Sequence, residues 1–172
     1  MPTLGDNSQG ASSSNCSSDR CLATFVTASE GGTITGGGAY FAAASTAGTN
    51  AKIALYEDGG TGPAALVAAS SGVAIPAGGG LVTFTISGSF TAGDYYLMVI
   101  SDNFTAQNST DSGLSGQDTQ LDDVTGAYAA PPADFTATWS PIATYSDVRN
   151  NVYIEYTAAG GSNGAMMLMG VG

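Results

Sequence analysis

Carboxylates are the main chemical resource of this 172-residue chain, which contains no histidine. Asp118, Asp122 and Asp123 form one cluster, and Glu57-Asp58 form a second pair ahead of a glycine-rich turn. Ca2+ prefers several oxygen ligands gathered on a loop, so Asp118, Asp122 and Asp123 are the candidate metal ligands. Their spacing departs from an EF-hand, and a solvated acidic loop is the competing reading. Paired carboxylates also hydrolyse glycosides, but only at a set separation across a sugar cleft. With no histidine to act as base, and with the serines lying in low-complexity turns, acid–base and nucleophilic catalysis are disfavoured. The chain is expected to bind or assemble and not to be an enzyme, with Ca2+ the one ion that fits its residues.

Three further groups could recognise something. Trp139, Tyr128 and Tyr145 lie on or near expected loops, where aromatic rings stack on sugars, although in β-proteins such rings more often fill cores and interfaces. Cys16 and Cys21 enclose Ser-Ser-Asp-Arg and are the only cysteines. A metal site would need further Cys or His ligands, which leaves a short disulfide loop or two unpaired thiols. At the C-terminus a Gly/Ser hinge leads into Met166, Met167, Leu168 and Met169, an apolar stretch that would be a liability in water. Burial in a neighbouring subunit, by strand addition or in a groove, makes it the candidate assembly element, with a frayed tail as the alternative.

The elements that must position these groups read as strands. Runs rich in β-branched and aromatic residues alternate with Gly, Asn, Asp and Ser clusters, predicting strands at 22–28, 33–44, 51–57, 64–70, 81–87, 94–101, 135–139 and 151–157. Val82, Phe84 and Ile86 alternate with Thr83, Thr85 and Ser87, the period of a half-buried strand. Residues 95–100 are apolar throughout, as in a central strand covered on both sides. The alanines at 39–44 follow Gly36-Gly37-Gly38, which argues against a helix there. The pattern predicts an all-β fold, a two-sheet β-sandwich of jelly-roll type. Its expected parts are an extended N-terminal arm (1–21), a sandwich domain (22–157) and a Gly/Met-rich C-terminal tail (158–172). A long acidic loop over 102–134 is the expected binding surface.

Fourteen acidic residues stand against Arg20, Lys52 and Arg149, a net charge of −11. Nucleic-acid binding depends on neutralising phosphates with Lys and Arg, so nucleic acid is excluded as a partner, and anionic lipid is disfavoured on the same ground. No apolar run is long enough to span a bilayer, so membrane insertion is not expected. Residues 1–8 lack the basic-then-apolar layout of a secretory signal, yet the Thr/Ser/Gly/Ala surface resembles that of proteins working outside cells.

The order of residues from Thr33 to Tyr156 resembles a β-sandwich module found in phage virion and tail-associated proteins and in some bacterial surface proteins. The resemblance rests on the stretch from Ala54-Leu55-Tyr56-Glu57-Asp58 through Pro63 to Ala68, on Phe90-Thr91-Ala92-Gly93-Asp94-Tyr95-Tyr96-Leu97, and on Asn151-Val152-Tyr153-Ile154-Glu155-Tyr156. The opening Thr3-Leu4-Gly5-Asp6-Asn7-Ser8 is similar to the start of free-standing phage copies. Where the module often has a tryptophan before the strand starting here at Leu81, this chain has Gly78-Gly79-Gly80. The module has no single activity, so the resemblance implies a fold and a context. A phage structural protein is the expectation: a capsid decoration, head-surface or small tail-fibre component, assembling as a homo-oligomer such as a trimer and contacting capsid or tail proteins. It would be made in the host cytoplasm and end on the virion surface. The alternatives are a glycan-binding module used for adhesion and an extracellular filament subunit built by strand donation.

Overall fold

The computed structural model describes residues 1–16, 19–42, 49–102, 106–112 and 119–160, with the backbone alone for 14–16, 106–109, 111 and 112. Among the described residues there are strands and turns and no helix. The strands are β1 (Thr3–Gly5), β2 (Ser12–Cys16), β3 (Arg20–Ala28), β4 (Gly32–Phe41), β5 (Asn50–Asp58), β6 (Pro63–Ala69), β7 (Val73–Ala74), β8 (Gly80–Phe84), β9 (Gly88–Phe90), β10 (Gly93–Ser101), β11 (Ala106–Ser112), β12 (Thr119–Asp123), β13 (Ala143–Tyr145), β14 (Val148–Asn150) and β15 (Val152–Ala158).

They form two antiparallel sheets packed as a β-sandwich. The first runs β1-β15-β4, with β8 and β9 on the far side of β4; β11 joins the end of β4 at Asn108↔Phe41 and carries β2 and β14. The second runs β13-β12-β3-β10-β5-β6, with β7 against β5. Between them lies a core that includes Leu22, Ile34, Phe41, Ile53, Leu55, Leu97, Val99 and Ile154. Val82, Phe84 and Ile86 are buried while Thr83, Thr85 and Ser87 are exposed, as the alternation predicted.

Residues 1–21 are not a separate arm. Leu4 is buried in the core, and β1 pairs with β15 and β2 with β11 in the first sheet, while Arg20 and Cys21 open β3 of the second. Its polar composition hid this because β1 inserts a single apolar side chain. The expected loop over 102–134 likewise holds β11 and β12, interior strands of their sheets whose Ser/Thr/Asp content disguises them.

The predicted strand 135–139 is instead a turn. Asp134 Oδ1 accepts from Thr136 N (2.7 Å) and Thr136 Oγ1 (2.6 Å), and the backbone N–H groups of Thr138 and Trp139 both donate to the Phe135 carbonyl. This Asx-type capture of the backbone competes with strand pairing. It sets Phe135 and Trp139 on the same side, four residues apart, edge to face at 5.2 Å.

That turn belongs to a covering segment, residues 124–142, on the outer face of the second sheet. Phe135 is fully buried against Tyr56, with ring centroids 4.9 Å apart, and packs in a second apolar cluster with Ala23, Ala54, Tyr96, Met98 and Ile100. Strand β10 is therefore covered on both faces, which accounts for its unbroken apolar run. Two backbone bonds, Leu66 N to Ala133 O and Phe135 N to Ala64 O, also cover part of the exposed edge of β6.

Candidate functional site

The structure disperses the acidic cluster. Asp122 and Asp123 are consecutive in β12, so their side chains leave opposite faces of the sheet. Asp122 is buried and accepts from Ser140 N at 2.8 Å, tying down the end of the covering segment. Asp123 is exposed and pairs with Arg20 at 2.9 Å. Asp118 lies outside the described residues, and the described ones contain no group of three His, Cys, Asp or Glu placed to hold a metal.

The three aromatic residues do not share a surface. Trp139 is half-buried, its Nε1 donates to Gln120 Oε1 at 2.7 Å, and its ring lies where a side chain at Gly62 would stand. Tyr128 is half-buried and its backbone N–H donates to Asp19 Oδ1 at 3.0 Å; burial, then the nearby Asp102 carboxylate, pushes its hydroxyl above the ordinary tyrosine range. Both work as covering-segment packing. Tyr145 is exposed and pairs with Thr119, so it stands on the face of the second sheet opposite to Gln120 and Trp139.

Cys21 is buried, with its Sγ 3.8 Å from the Asp19 carbonyl oxygen. The side chain of Cys16, and with it the proposed pairing, lies outside the described residues. Met166, Met167, Leu168 and Met169 lie outside them too.

All three side-chain cations are engaged internally. Arg20 is on Asp123, and Arg149 meets the buried Asp6 at 2.8 Å. Lys52 reaches under the covering segment, donating to the carbonyls of Tyr128 (2.5 Å) and Ala129 (3.3 Å), with its ammonium 4.8 Å from the Tyr128 ring centroid. Most of the described carboxylates are also spent on structure: Asp58 on Gly60 N, Asp94 on Thr27, Asp102 on Asn50, Asp134 on Thr136.

Glu57 is different. Alternation along β5 places Ile53, Leu55 and Glu57 on the face turned to the opposite sheet; the first two enter the core, and Glu57 carries the row to where the sheets part. There it lines a cleft of about 310 Å³ with Leu66, Val67, Ser89, Phe90, Thr91 and Tyr95. The floor is rigid. Phe90 packs edge-on against Tyr95 (5.9 Å) and Tyr156 (5.0 Å), and the Tyr95 hydroxyl donates to the Thr91 carbonyl at 3.0 Å. The exposed Glu57 carboxylate makes no hydrogen bond or ion pair with any described residue. Sequence reading noted Glu57 as half of a carboxylate pair, yet Glu57 and Asp58 occupy opposite faces of β5. Its placement beyond Leu55 was the available signal.

Scans against protein-family models, curated proteins and solved structures match nothing to this chain.

Proposed function

We propose that the chain is a structural protein of a phage virion, a capsid decoration, head-surface or small tail-fibre component that assembles and binds without catalysing a reaction. One observation carries this reading: apart from Glu57, most of the described groups that could do chemistry are consumed in holding the fold. The cations, most described carboxylates, Trp139 and Tyr128 fasten turns, edges and the covering segment. A scaffold so constructed offers a rigid, acidic, Thr/Ser-rich exterior, which suits a particle surface. The jelly-roll assignment is part of the same proposal. It is supported by the way the chain passes repeatedly between sheets, from β3 to β4, β4 to β5, β7 to β8 and β9 to β10.

In this reading residues 166–169 make the contact with neighbouring subunits as a homo-oligomer. Light scattering of the purified protein should give a closed oligomer such as a trimer, and deletion of residues 160–172 should reduce it to a folded monomer. Unchanged assembly after the deletion would remove the tail from this role. Open filaments by electron microscopy would replace virion decoration with filament formation.

A further inference from the structure

The cleft below Glu57 has the chemistry of a cation site. Its walls combine one unpartnered carboxylate, the hydroxyl residues Ser89 and Thr91, and the apolar side chains of Leu66, Val67, Phe90 and Tyr95. An anion would meet both Glu57 and the field of a chain with net charge −11. A purely apolar group would desolvate a carboxylate without compensation. A primary ammonium on an aliphatic stem satisfies both parts: three donors for the carboxylate and hydroxyls, and methylenes against the rings and aliphatic walls. An ammonium near the Phe90 and Tyr95 rings gains a cation–π term as well.

The chain cannot supply that cation from its own side chains. Arg20, Lys52 and Arg149 are its whole complement, and each is held elsewhere. A second copy has the same three, equally committed. We therefore infer that the cleft receives a lysyl side chain from a basic segment of a different protein, steered towards it by the chain's negative field. The site does not depend on the virion reading, since it requires only the folded chain.

The test is an NMR titration of the ¹⁵N-labelled full chain at low salt with the peptide acetyl-Ala-Lys-Ala-amide, against the neutral acetyl-Ala-Gln-Ala-amide. The lysyl peptide should shift amides at Glu57, Leu66, Val67, Ser89, Thr91 and Tyr95, and the glutaminyl peptide should not. Glu57→Gln, isosteric and exposed, should weaken binding roughly three- to tenfold. Glu155→Gln removes the same charge from the outer face of the first sheet and should leave binding within about twofold, as expected for an independent site. Equal losses in the two variants would reduce the effect to diffuse charge and overturn the site. Equal binding of the two peptides, or absence of shifts at the cleft, would also overturn it.

Discussion

Asp6 looks in the sequence like one more polar residue of a loose opening, and the structure makes it a buried anchor. Its carboxylate accepts from Ser8 N (2.9 Å), Ser8 Oγ (2.6 Å), Asn151 Nδ2 (2.8 Å) and Arg149 (2.8 Å). Burial pushes the carboxyl up, but the hydrogen bonds from Ser8, the Arg149 charge and the Asn151 amide outweigh it and hold it below the ordinary aspartate value. A carboxyl depressed in the folded state stabilises it fully above the ordinary aspartate range, and that contribution fades as pH falls through the folded value. Asp6→Asn should therefore cost roughly 1–3 kcal/mol at pH 7 in urea denaturation. The gap from the wild type should close at pH values below the ordinary aspartate range. A second polar cluster clasps the two sheets at the β3–β12–β14 corner. Thr24 Oγ1 accepts from Asn150 Nδ2 (2.9 Å) and lies 3.0 Å from Thr119 Oγ1, which donates to the Val148 carbonyl. Thr24→Val leaves the buried Asn150 amide without that acceptor and should destabilise by roughly 1–3 kcal/mol. Neither cluster was legible in the sequence, because the partners lie up to 145 residues apart.

At the scale of elements, the apolar run of β10 announced cover on both faces but did not say what supplied it. The cover is the 124–142 segment, and Phe135 is its deepest side chain. Phe135→Ala should cost roughly 3–5 kcal/mol. Trp139, the chain's only tryptophan, packs on Phe135 and reports the event: its emission should shift to the red at lower denaturant than in the wild type. The glycine run in β4 likewise had a local reading, as a helix breaker, and the fold gives it a second use. A side chain at Gly38 would come within 2.8 Å of the Tyr153 ring, and one at Gly37 would strike Ile53 from the opposite sheet at 2.7 Å. Gly37→Ala should therefore destabilise by roughly 1–3 kcal/mol through overpacking, measured as a lower melting temperature.

For the whole molecule, fourteen acidic residues with every side-chain cation internally paired leave a surface that repels itself. Raising NaCl from about 0.02 to 0.5 M shortens the screening length from roughly 20 to 4 Å and should raise the melting temperature by several degrees. A flat response would mean that the acidic groups are spaced too widely to repel. Composition and alternation alone determined the β class, the two-sided cover of β10 and the charge, because period-2 patterning and net charge are local or additive properties. Tertiary structure decided the rest. Which strands are edges, that Asp122 and Asp123 part across a sheet, that Trp139 is packing and that Glu57 stands alone over a cleft all depend on long-range pairing. Residues distant in sequence become neighbours only when the sheets close, and a side chain's partner determines whether its chemistry is spent or available.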